Sequence, residues 1–113
     1  MKQLTRNEEI ILLCVLKLDE EAYGVSIRNR IREETGEKWS FASIYPPLES
    51  LYKKGFVNRI KGDPLPERGG KSRYFYKVTT AGKKVLIRLF ESRRKIWKGT
   101  EHMLWNAKGK EGS

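Results

Sequence analysis

Apolar residues fall at helical spacing over three stretches before residue 55, alternate over two short stretches after it, and return to helical spacing from residue 85. That pattern predicts a mostly α chain carrying one small antiparallel β-ribbon. The first stretch opens on Thr5 and Glu8, the spacing of a capping box in which hydroxyl and carboxylate each satisfy a backbone amide left open at a helix start. Its body, to about Leu18, is apolar around most of its circumference through Ile10, Ile11, Leu13, Cys14, Val15 and Leu16, which predicts burial on two faces. After the acidic turn Asp19–Glu21 and Tyr23-Gly24, a second, amphipathic helix sets Val25, Ile27 and Ile31 against Arg28, Arg30 and Arg32, and Gly36 ends it in the left-handed conformation. Those arginines either contact phosphates or form a solvated face.

A third helix starts at Ser40 or Ser43, either of which can cap it, and carries Ile44, Leu48, Leu51 and Tyr52 before Gly55 ends it. Pro46 and Pro47 belong only in a first helical turn, so an early start at Ser40 implies a distorted first part, which is the expected form. Phe56, Val57 and Ile60 then read as a strand, Gly62–Gly70 as a loop, and Tyr74, Tyr76 and Val78 as a second strand whose inward face depends on register. Thr79 or Thr80 caps a long last helix with Val85, Leu86, Leu89, Phe90, Ile96 and Trp97 in phase, continued by Met103 and Leu104 if Gly99 does not break it.

This last stripe is longer than one small core needs, and an apolar stripe projecting past its own domain usually packs on another chain. A homodimer is therefore expected, with Ile11, Val15, Val85, Leu89, Phe90, Ile96 and Trp97 at the interface. Three helices, a ribbon and a further helix is the element order of a winged helix-turn-helix, here residues 1–78, followed by a C-terminal dimerisation helix over 79–105 and a frayed polar tail over 106–113.

Charge narrows the partner. The chain of 113 residues carries 24 Lys and Arg against 14 Asp and Glu, a balance that favours an acidic polymer and says little about fold. The excess is uneven: the segment Met1–Ala22 has net charge −2 and Tyr23–Phe56 +2, whereas Val57–Val78 has +4 and Thr79–Ser113 +6. Arg59, Lys61, Arg68, Lys71 and Arg73 crowd around the ribbon tip.

Other chemistry finds little support. Cys14 sits in an apolar run, where a small buried side chain is the reading rather than a nucleophile or metal ligand. His102 is the sole histidine, and no Ser-His, Cys-His or metal-ligand spacing occurs, so no catalytic residue, metal or cofactor is expected. The polar segment Met1–Glu9 and the lack of any apolar run near the roughly 20 residues of a bilayer span predict neither signal peptide nor membrane segment, and hence the cytoplasm.

The ordered motifs Tyr23-Gly24, Trp39-Ser40, Ile44-Tyr45-Pro46, Leu48, Leu51 with Gly55-Phe56-Val57, Gly69-Gly70, Arg73-Tyr74-Phe75-Tyr76 and Thr79 with Ala81-Gly82 carry a resemblance. Through them the chain, over roughly residues 8–98, resembles the PadR family of transcriptional regulators, in its compact branch with one C-terminal helix. The resemblance implies a dimeric, commonly repressing protein that binds double-stranded DNA at a two-fold symmetric operator and sometimes answers to a small aromatic effector. Carried onto this sequence, the DNA-binding residues are Tyr23, Ser40, Ala42, Ser43 and Tyr45 around the recognition helix and Lys61, Arg68, Lys71 and Arg73 on the ribbon. Tyr45 has a second reading as core packing. Between Ser40 and Leu51 there is no Arg, Asn or Gln, the side chains best suited to bidentate base reading. Phe90, Arg93 and Trp97 are the candidates for an effector pocket, with plain interface packing as the other reading of Trp97. The rival function is a basic winged-helix module that binds RNA or a protein partner, because a polyanion of either kind reads the same charge.

Overall fold

The computed structural model describes residues 3–64 and 72–111. In chain order it contains α1 (Arg6–Leu18), a single 3-10 turn (Asp19–Glu21), α2 (Gly24–Thr35), α3 (Phe41–Lys53), β1 (Val57–Pro64), β2 (Ser72–Val78), α4 (Thr80–Trp97) and α5 (Glu101–Glu111). The mostly helical architecture with one antiparallel ribbon agrees with the hydrophobic pattern.

The capping box of α1 is formed. The Glu8 amide donates to Thr5 Oγ1 at 3.1 Å and the Thr5 amide donates to Glu8 Oε1 at 2.9 Å. Helix α1 packs against α2, α3, β2 and α4, and buries Ile11, Leu12, Cys14 and Val15. Ile27 and Ile31 of α2, Ile44, Leu48 and Leu51 of α3, Val57, Tyr76 and Val78 of the ribbon and Val85 and Leu86 of α4 complete one core. Ile11, Val15 and Val85, expected at an interface between chains, thus belong to the interior of the single chain, with 0%, 1% and 6% of their surface exposed. The second apolar face of α1 is Leu13 and Leu16, both exposed.

Gly36 ends α2 at φ 76°, its amide bonded to the Arg32 carbonyl. Helix α3 begins at the earlier of its two candidate caps, Ser40, whose Oγ accepts from the Ser43 amide at 3.2 Å. It runs unbroken through Pro46 and Pro47. Each proline removes a bond to the carbonyl four residues back, at Ala42 and Ser43. Both residues are exposed, where water reaches those carbonyls.

In the ribbon, Val57 pairs with Val78, Arg59 with Tyr76 and Lys61 with Tyr74, and the register slips between Lys61 and Pro64. Strand β1 therefore continues through Gly62 and Pro64, which pattern alone assigns to the loop. The register fixes the faces: Val57, Tyr76 and Val78 point into the core, while Ile60 and Phe75 lie on the opposite side. A bridge between Tyr23 and Phe75, with the Tyr76 amide donating to the Ala22 carbonyl at 2.8 Å, ties the ribbon to the start of α2.

Thr79 caps α4, accepting from the Gly82 amide at 3.0 Å. The last helix is divided, because Gly99 adopts φ 84°, a conformation costly for any residue with a β-carbon, and the chain turns before α5 begins. The backbone of the polar tail expected from residue 106 is helical as far as Glu111. Among the described residues no helix is long and apolar enough to cross a membrane.

Candidate nucleic-acid interface

The surface around the leading end of α3 is built by three segments held in fixed relation. Ser40, Ala42, Ser43 and Tyr45 are all exposed on the first turns of α3. The Tyr45 ring stacks on Phe41 with centroids 5.8 Å apart, and its hydroxyl lies against Gly24 at the first turn of α2. A β-carbon at Gly24 would collide with that hydroxyl and stand 3.1 Å from the ring carbon bearing it, so the glycine is what lets the phenol lie there. Tyr45 is 48% exposed, which removes it from the core.

Tyr23 sits one residue further back and carries the ribbon. Its ring meets Phe75 edge-on at 5.5 Å, and the Arg73 guanidinium lies 4.3 Å from its centroid. Arg73 makes no ion pair among the described residues, and its buried Nε has no hydrogen-bond partner there. Among the described residues, ring contact is what holds this cation, and no carboxylate pairs with it. Lys61 is exposed further out on β1. Arg68 and Lys71 lie outside the described residues. Tyr23, Tyr45, Arg73 and the first turn of α3 are thus joined through direct contacts, a continuity that spacing could not display.

Arg59 is different. Counted with the cations of the ribbon, it donates to Glu49 Oε2 of α3 at 2.8 Å and lies between the rings of Tyr52 (4.1 Å) and Tyr74 (5.1 Å). Its charge is spent within the protein, and it braces the ribbon against α3.

Among the described residues no group of three or more His, Cys, Asp or Glu is placed to hold a metal ion. Burial pushes the Cys14 thiol up to about 11, so it is neutral and unreactive near pH 7. Glu8 is the buried carboxylate, and Lys54 Nζ (2.8 Å) and the Ser50 hydroxyl (2.7 Å) both donate to its Oε2, a structural arrangement.

The residues expected to form an effector pocket are separated. Phe90 lines an apolar groove of about 370 Å³ with Leu13, Leu16, Lys83, Leu86 and Ile87. Trp97 lines another of about 370 Å³ with Glu101, Leu104 and Trp105 at the elbow between α4 and α5. Arg93 turns toward α1, where it pairs with Glu9. Leu89 is half-buried, while Phe90, Ile96 and Trp97 are exposed. Leu13, Leu16 and Ile87 were detectable only as the face of each helix left over once the core face was known.

Residues 12–88 match the family model described as "Transcriptional regulator PadR-like family". No curated protein matches the chain. Among solved structures, the fold is similar to a PadR family transcription regulator from Clostridium difficile, with a TM-score of 0.69 and 23% identity, covering 88% of this chain and 99% of that one. A PadR-like transcription factor from Bacteroides fragilis superposes with a TM-score of 0.71 at 23% identity, covering 85% of this chain and 87% of that one. A transcriptional regulator from Thermoplasma acidophilum gives a TM-score of 0.66 at 24% identity, with 88% and 90% covered.

Proposed function

The chain belongs to the PadR-like family of transcriptional regulators, and from that premise we propose that it binds double-stranded DNA as a homodimer and represses transcription from a two-fold symmetric operator. The observation that carries this reading is the contact chain from the exposed first turn of α3 through Tyr45, Gly24 and Tyr23 to the guanidinium of Arg73, which makes no ion pair among the described residues. A protruding helix end offers short side chains to a groove, and fixed cations beside it meet the phosphates that border that groove. Ser40, Ala42, Ser43 and Tyr45 are the groove-facing set, and Tyr23, Lys61, Arg68, Lys71 and Arg73 the backbone set. With no Arg, Asn or Gln on the leading half of α3, phosphate contacts supply most of the affinity and DNA shape much of the selectivity.

Dimerisation is supported by an apolar surface left exposed among the described residues. Leu13, Leu16, Ile87 and Phe90 on α1 and α4, and Ile96 and Trp97 further along, are between 38% and 75% exposed. Patches of this kind mark association surfaces. The groove between Trp97 and Trp105 is the place for a small planar aromatic effector, since flat rings facing an apolar space suit a flat ligand.

The test is competition at matched salt between duplex DNA, single-stranded DNA and A-form RNA, with affinity followed from low to high salt. Duplex should win, with a steep fall in affinity as salt rises. Preference for RNA would overturn the reading, and so would a footprint at one asymmetric site.

A further inference from the structure

The cations of α2 are not equivalent. Arg28, Asn29, Arg32, Lys38 and Trp39 line a recess of about 110 Å³ where α2 gives way to the segment entering α3. Its lining contains three cations and no carboxylate. The acidic residues nearest in sequence pair with cations outside the recess. Glu33 pairs with Arg30 at 3.6 Å and Glu34 with Lys17 at 3.0 Å and Arg30 at 3.6 Å, while Glu37 pairs with Arg6 at 3.3 Å and accepts from the Trp39 indole at 3.4 Å. Arg28, Arg32 and Lys38 therefore have no ion pair among the described residues.

These side chains converge by construction. Arg28 and Arg32 lie one helical turn apart on the same face of α2, and Lys38 reaches the recess from the segment between Gly36 and Ser40. The Arg28 guanidinium is pinned 4.8 Å from the ring centroid of Phe41, the first residue of α3. Trp39, half-buried against the core, forms a fixed wall. Water occupies roughly 30 Å³ per molecule, so the recess has the capacity of a single tetrahedral oxyanion with little solvent beside it. Like charges brought together this way repel until an anion enters.

We propose that this recess is a phosphate site, filled in the complex by a backbone phosphate bordering the groove that α3 enters. The choice of a DNA phosphate rests on the function proposed above and on the contact of Arg28 with the first residue of α3. It assigns a backbone contact to the first half of the chain, where the net charge is small, in addition to those on the ribbon.

The experiment has two arms. In the first, the 15N-labelled full chain without DNA is titrated with inorganic phosphate at constant ionic strength, reading the Nε–H signals of Arg28 and Arg32 and the Trp39 indole. These signals should shift saturably in the parent and in Lys61→Gln, and the remaining Arg28 and Trp39 signals should not shift in the Arg32→Gln, Lys38→Gln double variant. In the second arm, the slope of log affinity against log salt for duplex DNA should fall by about 0.9 in the double variant, the loss of one phosphate contact. The fall should be the same on related and unrelated sequences. Phosphate binding with an unchanged slope would overturn the backbone assignment and give the recess to a free phosphorylated ligand. No saturable shift and no change of slope would overturn the site altogether. Phosphate binding in a chain that ignores duplex DNA would sink the proposed function while supporting the site.

Discussion

Arg59 on β1 donates to the Glu49 carboxylate on α3 at 2.8 Å while its guanidinium lies between the rings of Tyr52 and Tyr74. The pair joins the ribbon to α3, so on the function proposed above its removal should loosen the relation between the two elements assigned to DNA without deleting a phosphate contact. Arg59→Ala should lower stability modestly, through loss of one partly exposed ion pair and two ring contacts. Duplex affinity should fall severalfold with the salt slope unchanged, whereas Lys61→Ala should lower the slope by about 0.9. Equal slope changes in the two variants would show that Arg59 touches DNA.

Glu8 gives the fold an acid-sensitive point. Burial pushes its carboxyl up, but the Lys54 ammonium, the Thr5 amide and the Ser50 hydroxyl together hold it below its ordinary value of 4.5. A carboxylate whose folded value is depressed contributes stability that is complete above 4.5 and disappears as pH falls through the lower folded value. Glu8→Gln, which keeps the shape and loses the charge, should therefore be less stable than the parent at pH 7 by about 1–3 kcal/mol. The gap in denaturant midpoint should narrow as pH falls below 4.5 and close once pH is below the lower folded value. A gap independent of pH would assign the loss to packing instead of charge.

The cap at Thr5 and the break at Gly36 were legible in the sequence because each depends on residues within four positions of one another, whereas the caps of α3 and α4 were narrowed only to Ser40 or Ser43 and Thr79 or Thr80. Relations across the fold were not legible. Arg59 looks like any ribbon cation until the register sets it opposite Tyr76 and beside Glu49. Ile11, Val15 and Val85 share a helical period with residues that point outward, and only the packing of α1 among α2, α3, β2 and α4 shows which face the core consumes. Gly99 could have been passed over within a helix at a modest cost, and its positive φ is what divides α4 from α5. The recess beside Trp39 needs knowledge of where Glu33, Glu34 and Glu37 find their partners, which composition does not carry.

Gly24 and Tyr45 offer a test of how α3 is seated. Gly24→Ala places a β-carbon against the Tyr45 hydroxyl and should displace the ring that flanks the groove-facing residues. Duplex affinity should drop about tenfold, equivalent to about 1.4 kcal/mol, with helix content preserved, since alanine favours a helix. Adding Tyr45→Phe removes the colliding oxygen. Recovery in the double variant would make Tyr45 a spacer, while a loss in Tyr45→Phe alone, not recovered in the double variant, would make its hydroxyl a phosphate donor.

The apolar surfaces at Phe90 and Trp97 should separate association from ligand binding, because they line different grooves. Phe90→Asp puts a charge among Leu13, Leu16 and Ile87, at a position already 67% exposed, so the single chain should keep its fold and its far-ultraviolet circular dichroism. Sedimentation equilibrium should show its dimer dissociating at concentrations where the parent remains paired, and duplex affinity should fall with it because one chain reaches only one half-site. Trp97→Ala and Trp105→Ala should instead abolish the quenching of tryptophan fluorescence by a planar aromatic cation. Phe90→Ala should retain that quenching. If Phe90→Ala removes the response and Trp105→Ala preserves it, the ligand lies between α1 and α4, and the elbow at Gly99 has no part in effector recognition.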